Sequence, residues 1–113
     1  MEKDVRPWGR YEVLLDSEEC KVKRLWINPG HQPSYQYHHK RSETWVIVKG
    51  QGLLTLDDVE KEVASGEVIF VPCGVKHRLK NVGEEELIFI EVQTGEYFGE
   101  DDIVRLADDY KRD

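Results

Sequence analysis

Along this chain, apolar residues fall in short runs broken by turn-forming residues, and no helical period is sustained before the C-terminal tail. The pattern predicts strands over 11–15, 20–28, 34–38, 43–48, 52–56, 59–64, 68–71, 77–80 and 86–93. Between them lies turn chemistry: Asp16-Ser17, Asn28-Pro29-Gly30, Gly50-Gln51-Gly52, Asp57-Asp58, Ser65-Gly66, Pro72-Cys73-Gly74 and Asn81-Val82-Gly83. So many short strands in so small a chain predict an all-β sandwich or small barrel. The tail over 100–111 sets Ile103, Val104, Leu106 and Ala107 among acidic residues, which predicts one short helix or turn docked on the barrel.

Two of the strands, over 44–48 and 87–92, are apolar on both faces, whereas a strand with one face in water alternates. Their outer face needs a cover. A second copy of the chain is the simplest one, so a homodimer is expected; a terminal segment of the same chain is the alternative.

With 113 residues there is room for one compact domain, taken as 1–113. Apolar residues are 39% of the chain and charged ones 35%, a balance that supports a folded core and excludes global disorder. The formal charge of −7 sets aside nucleic acid and anionic membrane as main partners, since both reward a positive surface. No apolar stretch approaches the roughly 18–20 residues that cross a bilayer, and the charged start is no signal peptide, so a cytoplasmic location is expected. Cys20 and Cys73 stand far apart with no CxxC spacing, which predicts two reduced, buried thiols.

Candidate chemistry gathers around two segments. Gln36 and His38 are two apart in a predicted strand, so they project from one face about 6–7 Å apart. Glu43 opens the next strand after Lys40-Arg41-Ser42, and a hairpin there sets it opposite that face. His77 follows the Pro72-Cys73-Gly74 turn and reaches the same point from another hairpin. An amide oxygen, two imidazoles and a carboxylate form a mixed N/O set suited to one divalent metal ion, zinc first, with manganese, iron, cobalt or nickel as alternatives. The bland reading is two satisfied barrel histidines and a surface acid.

Charged residues in strands add candidates. Arg24 shares a predicted strand face with Cys20, Val22 and Trp26, which sends a cation toward core or cavity, where it needs a carboxylate or a ligand phosphate. Glu91 shares a face with Phe89 and Gln93, opposite Ile88, Ile90 and Val92. If that face lines a cavity, Glu91 is a candidate general base, with an ion pair to Arg24 or Arg105 as the alternative. Lys76 and Arg78 flank His77 and should face away from it, into solvent.

The same segments carry a resemblance. Residues 30–50 read GHQPSYQYHHKRSETWVIVKG and fit the first cupin motif, G(x)5HxH(x)4E(x)6G, with Gln36 in the first histidine slot. Residues 66–81 read GEVIFVPCGVKHRLKN and fit the second, G(x)5PxG(x)2H(x)3N. Together they resemble a small bacterial cupin, which implies a double-stranded β-helix, the cupin jelly-roll barrel. More closely, Arg6-Pro7-Trp8-Gly9-Arg10-Tyr11, residues 36–45, residues 72–81 and the tail from Glu91 to Arg105 resemble type II phosphomannose isomerases. In that family the domain is usually the C-terminal part of a bifunctional mannose-1-phosphate guanylyltransferase/mannose-6-phosphate isomerase. No Gly-rich nucleotide loop accompanies it here, so guanylyltransferase activity is not expected.

The resemblance implies a metal-dependent isomerase that interconverts mannose 6-phosphate and fructose 6-phosphate through an enediol, with a small phosphorylated sugar as partner. It places a catalytic arginine at Arg41, from the family's HHHRAE segment, and a substrate-binding one at Arg105 in the tail. The chain departs from the family at Lys40, which replaces the third histidine, and at Thr44. Lys40 would then stand beside the site as a cation for phosphate. Two other classes are carried forward: a non-catalytic sugar or nucleotide-sugar binding cupin partnering a separate guanylyltransferase, and a metal-dependent oxygenase or decarboxylase.

Overall fold

The chain, described over residues 3–107 by a computed structural model, runs through eleven strands. They are β1 (Lys3–Arg6), β2 (Gly9–Asp16), β3 (Cys20–Ile27), β4 (Tyr35–Tyr37), β5 (Arg41–Lys49), β6 (Gln51–Leu56), β7 (Val59–Ala64), β8 (Val68–Val71), β9 (His77–Asn81), β10 (Leu87–Gly95) and β11 (Val104–Ala107). Antiparallel pairing sorts them into one sheet ordered β1-β2-β3-β10-β5-β8 and a second ordered β11-β4-β9-β6-β7. The two sheets face each other across a shared core, giving the expected all-β double-stranded β-helix.

What positions the site is a gradient along the inner face. In β3 the inward residues run from Ile27 and Leu25 to Lys23 and Lys21; in β10 from Leu87 and Phe89 to Glu91 and Gln93; in β5 from Ile47 and Trp45 to Glu43 and Arg41. The registers align these changes, with Leu25 opposite Phe89 and Phe89 opposite Ile47, and with Lys21 opposite Gln93 and Gln93 opposite Glu43. One end of the barrel is therefore an apolar plug, reached from the other sheet by Leu54, Val63 and Leu79. The other end collects buried charge. At the closed end Asn81, fully buried, donates from Nδ2 to the carbonyls of Ile27 and Glu85 at 2.8 Å each and so ties the sheets together.

Turn chemistry fixes the pairing. Asp57 and Asp58 both adopt positive φ, 49° and 70°, the two-residue turn whose twist matches a β-hairpin, and they join β6 to β7. Gly95 has φ 141° opposite Arg41, and a Cβ there would stand 2.4 Å from the Lys40 carbonyl oxygen. Only glycine lets the end of β10 pass so close to the start of β5.

The tail departs from expectation. Residues 104–107 form no helix but strand β11, which pairs with β4 through Val104 opposite Tyr37 and Arg105 opposite Gln36. The exposed edge of the short β4 offers unpaired backbone groups that a two-residue alternation can satisfy, and this outweighs the weak helical pattern. Residues 108–111 of the expected helix lie outside the described residues. Strand β1 was not foreseen.

The two-faced strands are as expected, and the described chain leaves their outer face in solvent. Val46 and Val48 of β5 and Val68 and Phe70 of β8 are exposed, beside half-buried Ile88, Ile90 and Val92 of β10. No described terminal segment covers them. Both cysteines are free, yet neither is buried as expected: Cys20 is half-buried and Cys73 exposed. Among the described residues no helix is long and apolar enough to cross a membrane.

Candidate functional site

At the charged end of the barrel a cavity of about 220 Å³ opens between the sheets. His38, just past β4, Glu43 on β5 and His77 on β9 bring one ligand atom each to within 4.8 Å of one another, all three side chains buried. The backbone fixes how the imidazoles present themselves. His38 Nδ1 lies 2.7 Å from the Asp102 carbonyl oxygen and His77 Nδ1 3.0 Å from that of Val75, so on each ring Nδ1 carries a proton and gives it to a carbonyl. Nε2 is left as the inward atom on both, a lone pair wherever the ring carries no second proton.

Burial lowers the His77 pKa, against the pull of Glu43, and keeps that ring neutral. Glu43 has the opposite balance: burial alone would raise its pKa, but a hydrogen bond from His38, the charge His77 carries whenever its ring is protonated, and the charge of Arg41 hold it well below the usual carboxylate range. Its Oε1 accepts from Trp45 Nε1 at 2.9 Å, and Oε2 accepts from Arg41 at 2.8 Å while standing 3.2 Å from His38 Nε2. Two inward imidazole nitrogens and an ionised carboxylate, with backbone partners behind both rings, are the donor chemistry of a divalent-metal site, which takes up the Nε2 lone pairs in place of any proton there, and the residues fit one. Gln36, paired in register with His77, lines the cavity and donates Nε2 to Ser34 Oγ at 3.1 Å, so Oε1 is the atom it could offer an ion.

Arg41 crosses this set. Its Nη2 lies 3.3 Å from His38 Nε2 and 2.8 Å from Glu43 Oε2, so its guanidinium and a metal ion draw on the same lone pairs. Its Nη1 is buried without a hydrogen-bond partner. Glu91 lies on the inner face of β10, accepts from Gln93 Nε2 at 2.6 Å, and is buried. Burial first, then the charge of Glu43, push its pKa up to about 8, with Lys23 and Arg41 only partly offsetting them.

The expected site residues divide. Gln36, His38, Arg41, Glu43, His77, Glu91 and Arg105 all line the cavity, and Arg105 Nε is buried without a partner. Arg24 does not. Its side chain is 44% exposed on the outer face, where Nε donates to Glu12 Oε1 at 3.1 Å and the guanidinium stacks 4.8 Å from the Trp26 ring. The phase of β3 is the reverse of that expected: Leu25 and Ile27 hold the core, so the inward cations are Lys21 and Lys23. Lys40 is also outside the cavity, exposed, with Nζ 5.5 Å from the Tyr97 ring; β5 starts one residue later, so Arg41 turns inward in its place. Arg78, expected to face away, borders the cavity and lies 5.4 Å from the Tyr35 ring, while Lys76 does face out, to Asp58.

Sequence reasoning missed Lys23, whose side chain is 4% exposed and whose Nζ lies 4.2 Å from the Tyr11 ring and 2.8 Å from Glu100 Oε2. It also gave no role to Glu100 or Asp102. The signal for Lys23 was the parity of Leu25 and Ile27, whose apolar strength exceeds that of Val22 and Cys20. For Asp102 there was none, because its carboxylate caps backbone amides of His39 and Lys40 far away in sequence.

Residues 1–108 match the family described as Mannose-6-phosphate isomerase C-terminal. A relative from Salmonella montevideo named mannose-1-phosphate guanylyltransferase is 44% identical over 107 residues, which are 95% of this chain and 23% of that protein. The chain thus spans less than a quarter of that relative's length. Among solved structures, the cupin domain of Schizosaccharomyces pombe Cnp3 superposes with a TM-score of 0.76 at 15% identity, covering 81% of this chain and 68% of that one. A sugar phosphate isomerase-like protein from Acidithiobacillus ferrooxidans superposes at 0.62 with 26% identity, over 67% of this chain and 50% of that one. Fold, motifs and match over nearly the whole length agree, and the chain belongs to the mannose-6-phosphate isomerase C-terminal family of cupins.

Proposed function

We propose that this chain is a metal-dependent sugar-phosphate isomerase that interconverts mannose 6-phosphate and fructose 6-phosphate, acting in the cytoplasm. One observation carries the reading: a single cavity holds a donor set of two imidazoles and a carboxylate beside buried cations with unmatched donors, Arg41 Nη1 and Arg105 Nε. The family match and the isomerase-like solved relative support it.

His38, Glu43, His77 and Gln36 would hold the ion, zinc being the first choice for this donor set. When bound, a divalent cation polarises the sugar's carbonyl and hydroxyl oxygens and so eases loss of the adjacent C–H proton. The chain's residues do the rest. Glu91 faces the cavity and, in the ionised form that its raised pKa makes the minor one at neutral pH, takes the proton from C1 of the ketose, returning it to C2 of the enediol to give the aldose; the hydroxyl proton moves between the two oxygens in compensation. Arg41 contacts the oxygen on which charge develops. The apolar plug of Trp45, Phe89 and Leu25 closes the inner end against water.

The test is an anaerobic NMR assay of metal-reconstituted protein with fructose 6-phosphate in deuterated water. Mannose 6-phosphate carrying deuterium at C2, formed only with metal, is the expected result. No product with zinc, manganese, iron, cobalt or nickel would overturn it and favour the second reading, a sugar-binding module that serves a guanylyltransferase. The name of the Salmonella relative and the small share of it that this chain spans are what keep that reading in view.

A further inference from the structure

Glu100 enters the cavity from the segment between β10 and β11, and its side chain is 36% exposed, against 4% for Lys23 and for Arg41. A single oxygen, Oε2, faces two buried cations: Lys23 Nζ at 2.8 Å and Arg41 Nη1 at 3.8 Å. The second distance is an ion pair without a hydrogen bond, and Nη1 has no other acceptor. Lys23 can donate three hydrogen bonds, and an arginine five. Arg105 Nε, also lining this cavity, is another buried donor left over. The Arg6 guanidinium lines it too and feels the Glu100 charge. Donors therefore exceed what one carboxylate can satisfy, in a place where buried polar groups ordinarily find partners. A group with three charged oxygens would match them better.

We propose that Glu100 is a resident counter-anion, occupying a phosphate-monoester subsite formed by Lys23, Arg41 and Arg105, and that the ligand's phosphate binds by displacing it. The inference rests on the reading of the cavity as a phosphosugar site and names where the phosphate goes. It also gives Glu100 a purpose: without an anion the buried Lys23 would be unpaired, which is costly. The carboxylate is carried on a strand-free segment, secured two residues later by Asp102, so its withdrawal need not disturb either sheet.

Calorimetric titration tests this with three probes, inorganic phosphate, fructose 6-phosphate and fructose, on the full chain treated with chelator so that no metal takes up phosphate. Glu100→Gln should bind both phosphorylated probes about tenfold more tightly than wild type, with fructose unchanged, because the competing charge is gone. Lys23→Met should weaken both phosphorylated probes by tenfold or more. Should that variant not fold, Lys23→Arg replaces it and should retain binding. A second readout is thermal: phosphate should raise the melting temperature of Glu100→Gln more than that of wild type. Phosphate affinity equal or weaker in Glu100→Gln overturns the proposal, as does binding indifferent to Lys23→Met. Turnover is a separate measurement. Displacement without isomerisation would uphold the subsite and sink the isomerase reading, while isomerisation with affinity indifferent to Glu100 would do the reverse.

Discussion

Asp102 grips the segment that carries His38: its backbone carbonyl lies 2.7 Å from His38 Nδ1, and its carboxylate accepts the next two amides, of His39 at 3.0 Å and Lys40 at 2.9 Å. A residue near the end of the described chain thus sets the ring orientation of a candidate ligand early in it. Asp102→Ala leaves two amides without their acceptor, a loss of about 1–3 kcal/mol in chemical denaturation. Looser ring positioning should also weaken zinc binding by about tenfold or more. Unchanged zinc affinity in a folded variant would remove Asp102 from the support of the site.

The same carboxylate makes a pH signature. Burial pushes the Asp102 pKa up, but the amides of His39 and Lys40 outweigh it and the net shift is downward. An acid with a depressed folded-state pKa adds stability that is fully present above its unfolded value, about 3.9, and that is lost as pH falls through the folded value. Denaturation midpoints measured from pH 5 down to pH 2 should therefore fall more steeply for wild type than for Asp102→Asn. Glu43 and Glu100 titrate in the same direction, so the difference between the two proteins is the quantity to read. Parallel curves would contradict the assignment.

Metal content separates ligands from neighbours. His77→Ala and Glu43→Gln should each lose zinc measured after dialysis, and full occupancy in either would sink the donor set. Arg41→Ala should keep its zinc, at least as tightly as wild type, because the guanidinium competes for His38 Nε2 and Glu43 Oε2.

Turnover should separate the arginines. Arg41→Ala should lower kcat by about 10²–10³, the range for removing a charge-stabilising donor. Arg24→Ala, altered on the outer face, should stay within about twofold of wild type. A large loss there would mean that the outer face matters to catalysis.

The exposed Val46, Val48, Val68 and Phe70 of β5 and β8, with half-buried β10 beside them, form the face on which we propose that a second copy of the chain docks. Sedimentation velocity should show a dimer at micromolar concentration that Phe70→Asp converts to monomer. A monomeric wild type would refute it.

The barrel was legible because strand alternation and turn residues agreed, and His38, Glu43 and His77 do meet, but not through the expected hairpins: β4 and β5, like β8 and β9, lie in opposite sheets, so it is the facing of the two sheets that brings the three together. Arg24 and Lys23 show where such reading stops. Both faces of β3 carry apolar residues and cations, so period-two alternation cannot give the phase, and one residue of error exchanges inside for outside. The tail failed for a different reason: β11 exists because β4 offers an edge, a fact of tertiary structure that its own few residues do not encode. Glu100 and Asp102 act through long-range contacts, which local pattern does not report.

The candidate ligands come from both sheets, Glu43 from one and His77 from the other, with His38 just past β4. Spreading the sheets to admit a bulkier substrate would pull those atoms apart and dismantle the site before it enlarged it. Substrate range in this scaffold is therefore a property of the rim. Diversification, by selection or in the laboratory, has the segment over 96–103 and the region around Arg6 to work with, while the barrel wall holds the chemistry constant.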